Sequence, residues 1–176
     1  MELQFELNGE PETFEVAKTD LLLDVLRRNG YTGAKRGCDT GACGMCMVQV
    51  DGEPRQSCVL PANRVDGASV ETIEGLGTQD DLHPIQQAFL DRTALQCGFC
   101  TPGFIMSTKA LLEENPDPSD SEVRDALSDN LCRCTGYKKI LEAVYDSADR
   151  MQADAMAADG GTRLDLVSRE CGGERA

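Results

Sequence analysis

Residues 38–46 read CDTGACGMC, and with Cys58 they set four cysteines at the spacing C-x4-C-x2-C-x11-C. A C-x4-C-x2-C run completed by a distant fourth cysteine is the plant-type spacing for a 2Fe-2S cluster. Gly37, Gly41 and Gly44 lie among the thiols. Without side chains at those positions, backbone can wrap closely around a cluster and aim N–H groups at its negatively charged sulfurs. The competing reading is one zinc ion held by four thiolates, whose usual signature is a pair of short C-x2-C knuckles. Only one such knuckle is present in this run, and the glycine-rich wrap from Cys38 to Cys43 suits a centre larger than a single ion.

The flanking sequence predicts the scaffold. Upstream, Leu3, Phe5 and Leu7 alternate with polar residues, Asn8-Gly9 supplies a turn and Thr13 to Val16 returns, the pattern of a β-hairpin. Leu22, Leu23 and Leu26 then stand at helical spacing, with a cap expected at Thr19 or Asp20 and a stop at Asn29-Gly30. Downstream, Cys46 to Val50, Asp51-Gly52 and Arg55 to Cys58 predict a second hairpin, which returns Cys58 to the loop at little entropic cost. Ser69 to Ile73 predicts one more strand.

From about His83 the period becomes helical, beginning with Ile85, Ala88 and Phe89. Thr101-Pro102 is expected to cap and open a helix through Leu111-Leu112, which Asn115-Pro116 ends. Ser119-x-x-Glu122 reads as the capping box of a helix burying Val123, Ala126 and Leu127. A last helix, from about Tyr137 to Met151, shows Ile140, Leu141, Val144, Tyr145 and Ala148 on one side. The join falls near Gly75-Leu76-Gly77. The expectation is therefore an α+β chain with a strand-rich domain over residues 1–76, a helical domain over 77–155, and a flexible tail over 156–176, where the apolar period fades. At about 75 residues each, such halves have marginal cores, so bound metal would also stabilise them.

The helical half carries its own four thiols, Cys97 and Cys100 in a C-x2-C pair and Cys132 and Cys134 in a C-x1-C pair. Each pair falls at a predicted helix end, where free N–H groups favour an anionic centre. Spacing alone leaves zinc and an iron-sulfur cluster equally open for this group.

Taken together, CDTGACGMC, QCGFCTPG (residues 96–103) and NLCRCTGY (residues 130–137) resemble the motifs of the small iron-sulfur subunit of the molybdenum hydroxylases. That family includes xanthine dehydrogenases, aldehyde oxidoreductases, aerobic carbon monoxide dehydrogenases and 4-hydroxybenzoyl-CoA reductases. The resemblance spans nearly the whole chain. It implies a plant-ferredoxin-like β-grasp domain followed by an all-α four-helix bundle, with one 2Fe-2S cluster in each. It further implies that Cys38, Cys43, Cys46 and Cys58 hold the outer cluster, nearer a flavin. Cys97, Cys100, Cys132 and Cys134 would hold the inner one, which faces a molybdopterin cofactor. Gln96 matches the family's glutamine beside the pterin, and Cys134 the cysteine whose sulfur lies within hydrogen-bond reach of the pterin amino group. A large molybdopterin-binding subunit and a medium FAD-binding subunit are the implied partners, and the chain is implied to be the electron-transfer subunit of an oxidoreductase rather than a catalyst by itself. It departs from the family pattern at Met45 and Met47, where smaller or hydroxyl-bearing residues are usual, which puts the shell that tunes the outer cluster in question rather than its ligation.

Composition narrows the alternatives. A net charge of −14 argues against phosphate backbones and anionic lipid as partners. No apolar run approaches a membrane span, and the opening residues MELQFELNGE carry no export signal, so a cytoplasmic location is expected. In that reducing compartment, nine cysteines in 176 residues point to metal rather than disulfides. The ninth, Cys171, is left over as a free thiol, and the single histidine, His83, stands before Pro84 as a cap or surface residue. With one histidine there is no hydrolytic triad, and neither a dinucleotide fingerprint nor a P-loop is present. Two rivals to the relay are a zinc-stabilised interaction module and a freely diffusing two-cluster ferredoxin.

Overall fold

The computed structural model of the chain describes residues 1–158. Strands β1 (Glu2–Leu7) and β2 (Glu10–Glu15) pair antiparallel across Asn8 and Gly9, whose φ angles of 54° and 84° are those a type I′ turn requires. Leu3, Phe5 and Leu7 face inward and the polar residues between them face out. Helix α1 (Leu22–Arg28) buries Leu22, Leu23, Val25 and Leu26 against them. The expected cap at Thr19 or Asp20 does not form. Leu21 is the N-cap, held there by its bridge to Pro61 and the 2.8 Å bond from Leu22 N–H to the Leu60 carbonyl. Asp20 instead accepts the Ala17 N–H at 2.9 Å and pairs with Arg28 at 2.6 Å.

The second hairpin, β3 (Met47–Val50) and β4 (Glu53–Gln56), turns at Asp51-Gly52, again with both φ angles positive. Strand β5 (Ser69–Glu71) lies between β1, to which it is parallel, and β3, to which it is antiparallel, giving a mixed sheet of order β2-β1-β5-β3-β4. It is shorter than the sequence predicts. The Asn8 side chain takes the Thr72 N–H at 2.8 Å, and Ile73 opens a one-turn helix, α2 (Ile73–Leu76), instead of extending the strand. The first half is thus a ferredoxin-like β-grasp.

Four longer helices follow, α3 (Pro84–Asp91), α4 (Thr101–Glu114), α5 (Asp120–Ala126) and α6 (Lys138–Ala158). His83 caps α3, its Nδ1 accepting the Ile85 N–H at 3.3 Å while Gln86 Oε1 accepts the His83 N–H at 3.0 Å. Ser119 and Glu122 form the predicted capping box of α5, which buries Val123 and Leu127 and half-buries Ala126. Thr101 is not the cap of α4: Cys100 occupies that position, and Thr101 and Pro102 are the first two helical residues. Helix α6 continues past Met151 to Ala158. The stretch QADAMAA is rich in alanine, which sustains a helix with no apolar face to bury. Of the segment expected to be a flexible tail, residues up to 158 are therefore helical. The remainder, Cys171 included, lies outside the described residues. Among the described residues, no helix is long and apolar enough to cross a membrane.

The two halves have separate cores, one around Leu3, Leu23, Val48 and Val70 and one around Phe89, Phe104, Ile140 and Val144. They meet where α4 lies on the first cysteine loop. A Cβ at Gly103 would collide with the Gly44 carbonyl oxygen, so only glycine permits this approach.

Candidate iron-sulfur sites

The loop before β3 carries Cys38, Cys43 and Cys46, and the turn after β4 returns Cys58 to it. Cys43, Cys46 and Cys58 are buried and Cys38 is half-buried. The free thiols stand as two pairs, the Cys43 thiol hydrogen-bonded to the Cys38 sulfur and the Cys58 thiol to that of Cys46. Backbone N–H groups point at the sulfurs: those of Thr40 and Ala42 at Cys38, that of Met45 at Cys43 and that of Gly41 at Cys58. The Thr40 N–H, with help from Cys43 and Ala42, brings the Cys38 thiol down to about 6, whereas burial and then Cys46 push Cys58 up to about 11. The loop is therefore built to hold negative charge on sulfur at its rim, with its inner pair seated in the core. Met45 is half-buried, its sulfur over Gly37 beside Cys43, and it packs against the core of the helical half, while Met47 is buried.

The second group assembles between the start of α4 and a loop, so the helix end expected of the Cys132 and Cys134 pair is not found. Cys100 is the N-cap of α4, Cys97 lies just before it, and Cys132 and Cys134 occupy the loop between α5 and α6. Two pairs recur: the Cys100 thiol hydrogen-bonds to the Cys132 sulfur, and the sulfurs of Cys134 and Cys97 are 3.7 Å apart. Cys132 Sγ accepts the Cys134 and Thr135 N–H groups at 3.5 and 3.4 Å and the Thr135 hydroxyl at 3.1 Å. Those donors outweigh burial and lower the Cys132 thiol, while burial and then Cys132 push Cys100 up to about 12. Tyr137 holds the loop shut. Its hydroxyl accepts the Cys132 N–H at 3.0 Å and donates to the Asn130 carbonyl at 3.2 Å, and its ring meets Phe104 edge-on.

In both groups the four free thiols stand as two pairs, a donor set that offers two ligands to each metal of a two-metal centre. Among the described residues, no set of three or more His, Cys, Asp or Glu side chains is placed to hold one metal ion. The donor set and the N–H groups aimed at it fit a 2Fe-2S cluster at each site.

Comparison with known proteins agrees with this division. The profile of a 2Fe-2S iron-sulfur cluster binding domain matches residues 5–71, and that of a second 2Fe-2S binding domain matches residues 72–145. The nicotine 6-hydroxylase small subunit of Paenarthrobacter nicotinovorans is 48% identical over 148 residues, covering 84% of this chain and 89% of that one. The chain belongs to the small iron-sulfur subunits of the molybdenum hydroxylases. Within this family, the solved quinoline 2-oxidoreductase of Pseudomonas putida 86 superposes with a TM-score of 0.81 at 41% identity, over 92% of this chain and 98% of the matched one. Aldehyde oxidoreductase of Megalodesulfovibrio gigas is 49% identical over 146 residues, a match that spans 81% of this chain but 16% of that protein. As a molybdenum hydroxylase iron-sulfur subunit, the chain has an electron-transfer role within an oxidoreductase.

The two groups of this subunit differ in exposure. Cys97 and Cys134 are exposed, as is Gln96 beside them. Phe99 and Leu131, 45% and 49% exposed, are large apolar side chains within the same two cysteine motifs. A backbone hydrogen bond joins the groups: the Leu131 N–H, adjoining Cys132, donates to the Cys43 carbonyl at 3.0 Å. Sequence reasoning assigned no role to Phe99 and Leu131, although large apolar side chains inside cysteine motifs are a readable sign of a covered surface. It also passed over Asn130, which bonds across to Gly44, Ser107, which holds the Asn130 amide, and Lys109, the only cation in α4. None of the three could be found from spacing, because their partners are distant in sequence.

Proposed function

We propose that the chain relays electrons between a molybdopterin centre in a large subunit and FAD in a medium subunit, in the cytoplasm. Cys97, Cys100, Cys132 and Cys134 hold the inner 2Fe-2S cluster, and Cys38, Cys43, Cys46 and Cys58 hold the outer one. When bound, the clusters supply one-electron steps, which suits a place between molybdenum, which takes two electrons from substrate, and flavin, which stores either number. The chain contributes ligands, burial and a route and is not catalytic by itself. The carrying observation is the exposed pair Cys97 and Cys134, with Gln96 exposed and the large apolar Phe99 and Leu131 exposed within the same two motifs. An exposed cluster edge whose motifs also expose large apolar side chains suits closure by a partner, and Gln96 and Cys134 are the groups positioned to meet the pterin. From there the Leu131–Cys43 hydrogen bond leads to the buried group.

The test is to place an affinity tag on this chain in its own cell at native abundance and recover what accompanies it. The relay reading expects two larger chains, with molybdenum and FAD in stoichiometric amounts. Recovery of the coloured chain alone would favour a diffusing ferredoxin, and a colourless, zinc-loaded chain would favour an interaction module.

A further inference from the structure

We propose that Asn130 is the residue that fixes the two cysteine groups relative to one another, an inference that rests on reading the chain as a two-cluster relay. Asn130 is buried, and every polar group it has is engaged. Its Oδ1 accepts the Ser107 hydroxyl at 2.9 Å, and its Nδ2 donates to the Gly44 carbonyl at 3.3 Å. Its backbone N–H donates to the Leu127 carbonyl at 3.0 Å, and its carbonyl accepts from Tyr137 Oη at 3.2 Å. With Asn130 itself, these partners span three separate cysteine-bearing segments. Gly44 stands between Cys43 and Cys46, Ser107 is on the helix that Cys100 caps, and Asn130 itself is two residues ahead of Cys132. One amide therefore joins the wrap of the first group to both of the segments that carry the second group's thiols.

The chemistry demands an amide. A donor toward Gly44 and an acceptor toward Ser107 are needed on one short side chain, and aspartate at neutral pH offers only acceptors. The space is cut to it as well: a Cβ at Gly44, whose φ is 66°, would stand 2.5 Å from Asn130 Nδ2 and from the Asp129 carbonyl oxygen. Burial makes any loss expensive, since an orphaned amide or carbonyl at this junction cannot reach water. Asn130 is a positioning residue, acting through the backbone that carries the ligands.

Lys109 provides the contrast. Its ammonium donates to Gln49 Oε1 at 2.9 Å and to Glu71 Oε2 and Glu113 Oε1 at 2.7 Å each. It fastens the same two halves through β3 and β5, away from the cysteine loops. Loosening it weakens the junction without moving the backbone beside a ligand.

The experiment uses the full iron-loaded chain, reduced with dithionite, and reads the splitting that two paramagnetic clusters impose on each other's low-temperature electron paramagnetic resonance lines. That interaction falls steeply with separation. Asn130→Asp and Ser107→Ala are expected to change the splitting while both signals and the iron content persist. Lys109→Met is expected to lower the unfolding midpoint and leave the splitting as in the parent chain. Ser107→Ala removes one hydroxyl and carries the test if Asn130→Asp does not accumulate. Parent-like splitting in the Asn130 and Ser107 variants, or an equal change in Lys109→Met, would overturn the assignment. Absence of two signals from the parent chain would instead overturn the relay reading beneath it, and this inference with it.

Discussion

Each cysteine group has an inner and an outer pair, and the two groups treat the outer pair differently. Cys46 and Cys58 belong to the core of the sheet half, as Cys100 does to that of the helical half, with Cys132 packed against it. The outer pair of the first group, Cys38 and Cys43, remains half-buried to buried under its own loop, whereas Cys97 and Cys134 are exposed. The cause lies in what carries the thiols. A six-residue wrap closed by a hairpin covers its contents with backbone, while the start of α4 and the loop between α5 and α6 leave one side open. The first site is largely covered by its own chain, and the second is open along Cys97 and Cys134.

The sharpest way to break this comparison is to delete one thiol from each kind of pair. Cys58→Ala removes the centre and also a buried side chain from the sheet core. It is expected to cost on the order of 3–5 kcal/mol in denaturant unfolding and to halve the bound iron. Cys134→Ala should lose the same share of iron with a distinctly smaller loss of stability, because no core cavity opens. Equal losses would mean that exposure does not separate the sites.

A smaller effect is expected where the halves touch. Gly103→Ala drives a methyl group into the Gly44 carbonyl, where backbone faces backbone and neither side can yield by rotating a side chain. Thermal unfolding should register a loss of about 3 kcal/mol. A neutral result would show that α4 is not seated on the first loop.

The smallest expected effect comes from His83. Burial, and then the nearby Lys109 ammonium, hold its imidazole below the usual 6.5, with Glu71, Glu113 and Asp154 opposing. The unfolded chain then binds the proton more readily, so this contribution to stability is complete above pH 6.5 and declines as pH falls toward the depressed folded value. Urea unfolding at about pH 7.5 and about pH 6 should show the decline, and His83→Asn, which keeps a capping acceptor, should reduce it. An unchanged slope in that variant would assign the pH dependence to other groups.

Much of this arrangement could be read from local pattern. Asn8-Gly9 and Asp51-Gly52 announce their hairpins because few residues adopt positive φ without penalty, and Ser119-x-x-Glu122 announces a helix start because its bonds are made within four residues. The misses arise where tertiary contact overrides such rules. Leu21 rather than Asp20 starts α1 because Pro61 and Leu60 hold it, and β5 stops early because Asn8 takes the Thr72 N–H. The cysteine spacing announced the candidate ligands. The junction through Asn130 and Lys109 was not legible, because it joins positions some 20 to 90 residues apart, and cysteine spacing does not say which thiol meets which, so the two-plus-two pairing emerged only in the folded chain.

The most direct measurement is the low-temperature electron paramagnetic resonance spectrum of the anaerobically reduced chain beside that of Cys134→Ala. Two distinguishable spin-half signals in the parent, with one lost and the other unaltered in the variant, are the result this account predicts. A silent spectrum from a zinc-containing protein, or the loss of both signals together, would contradict it.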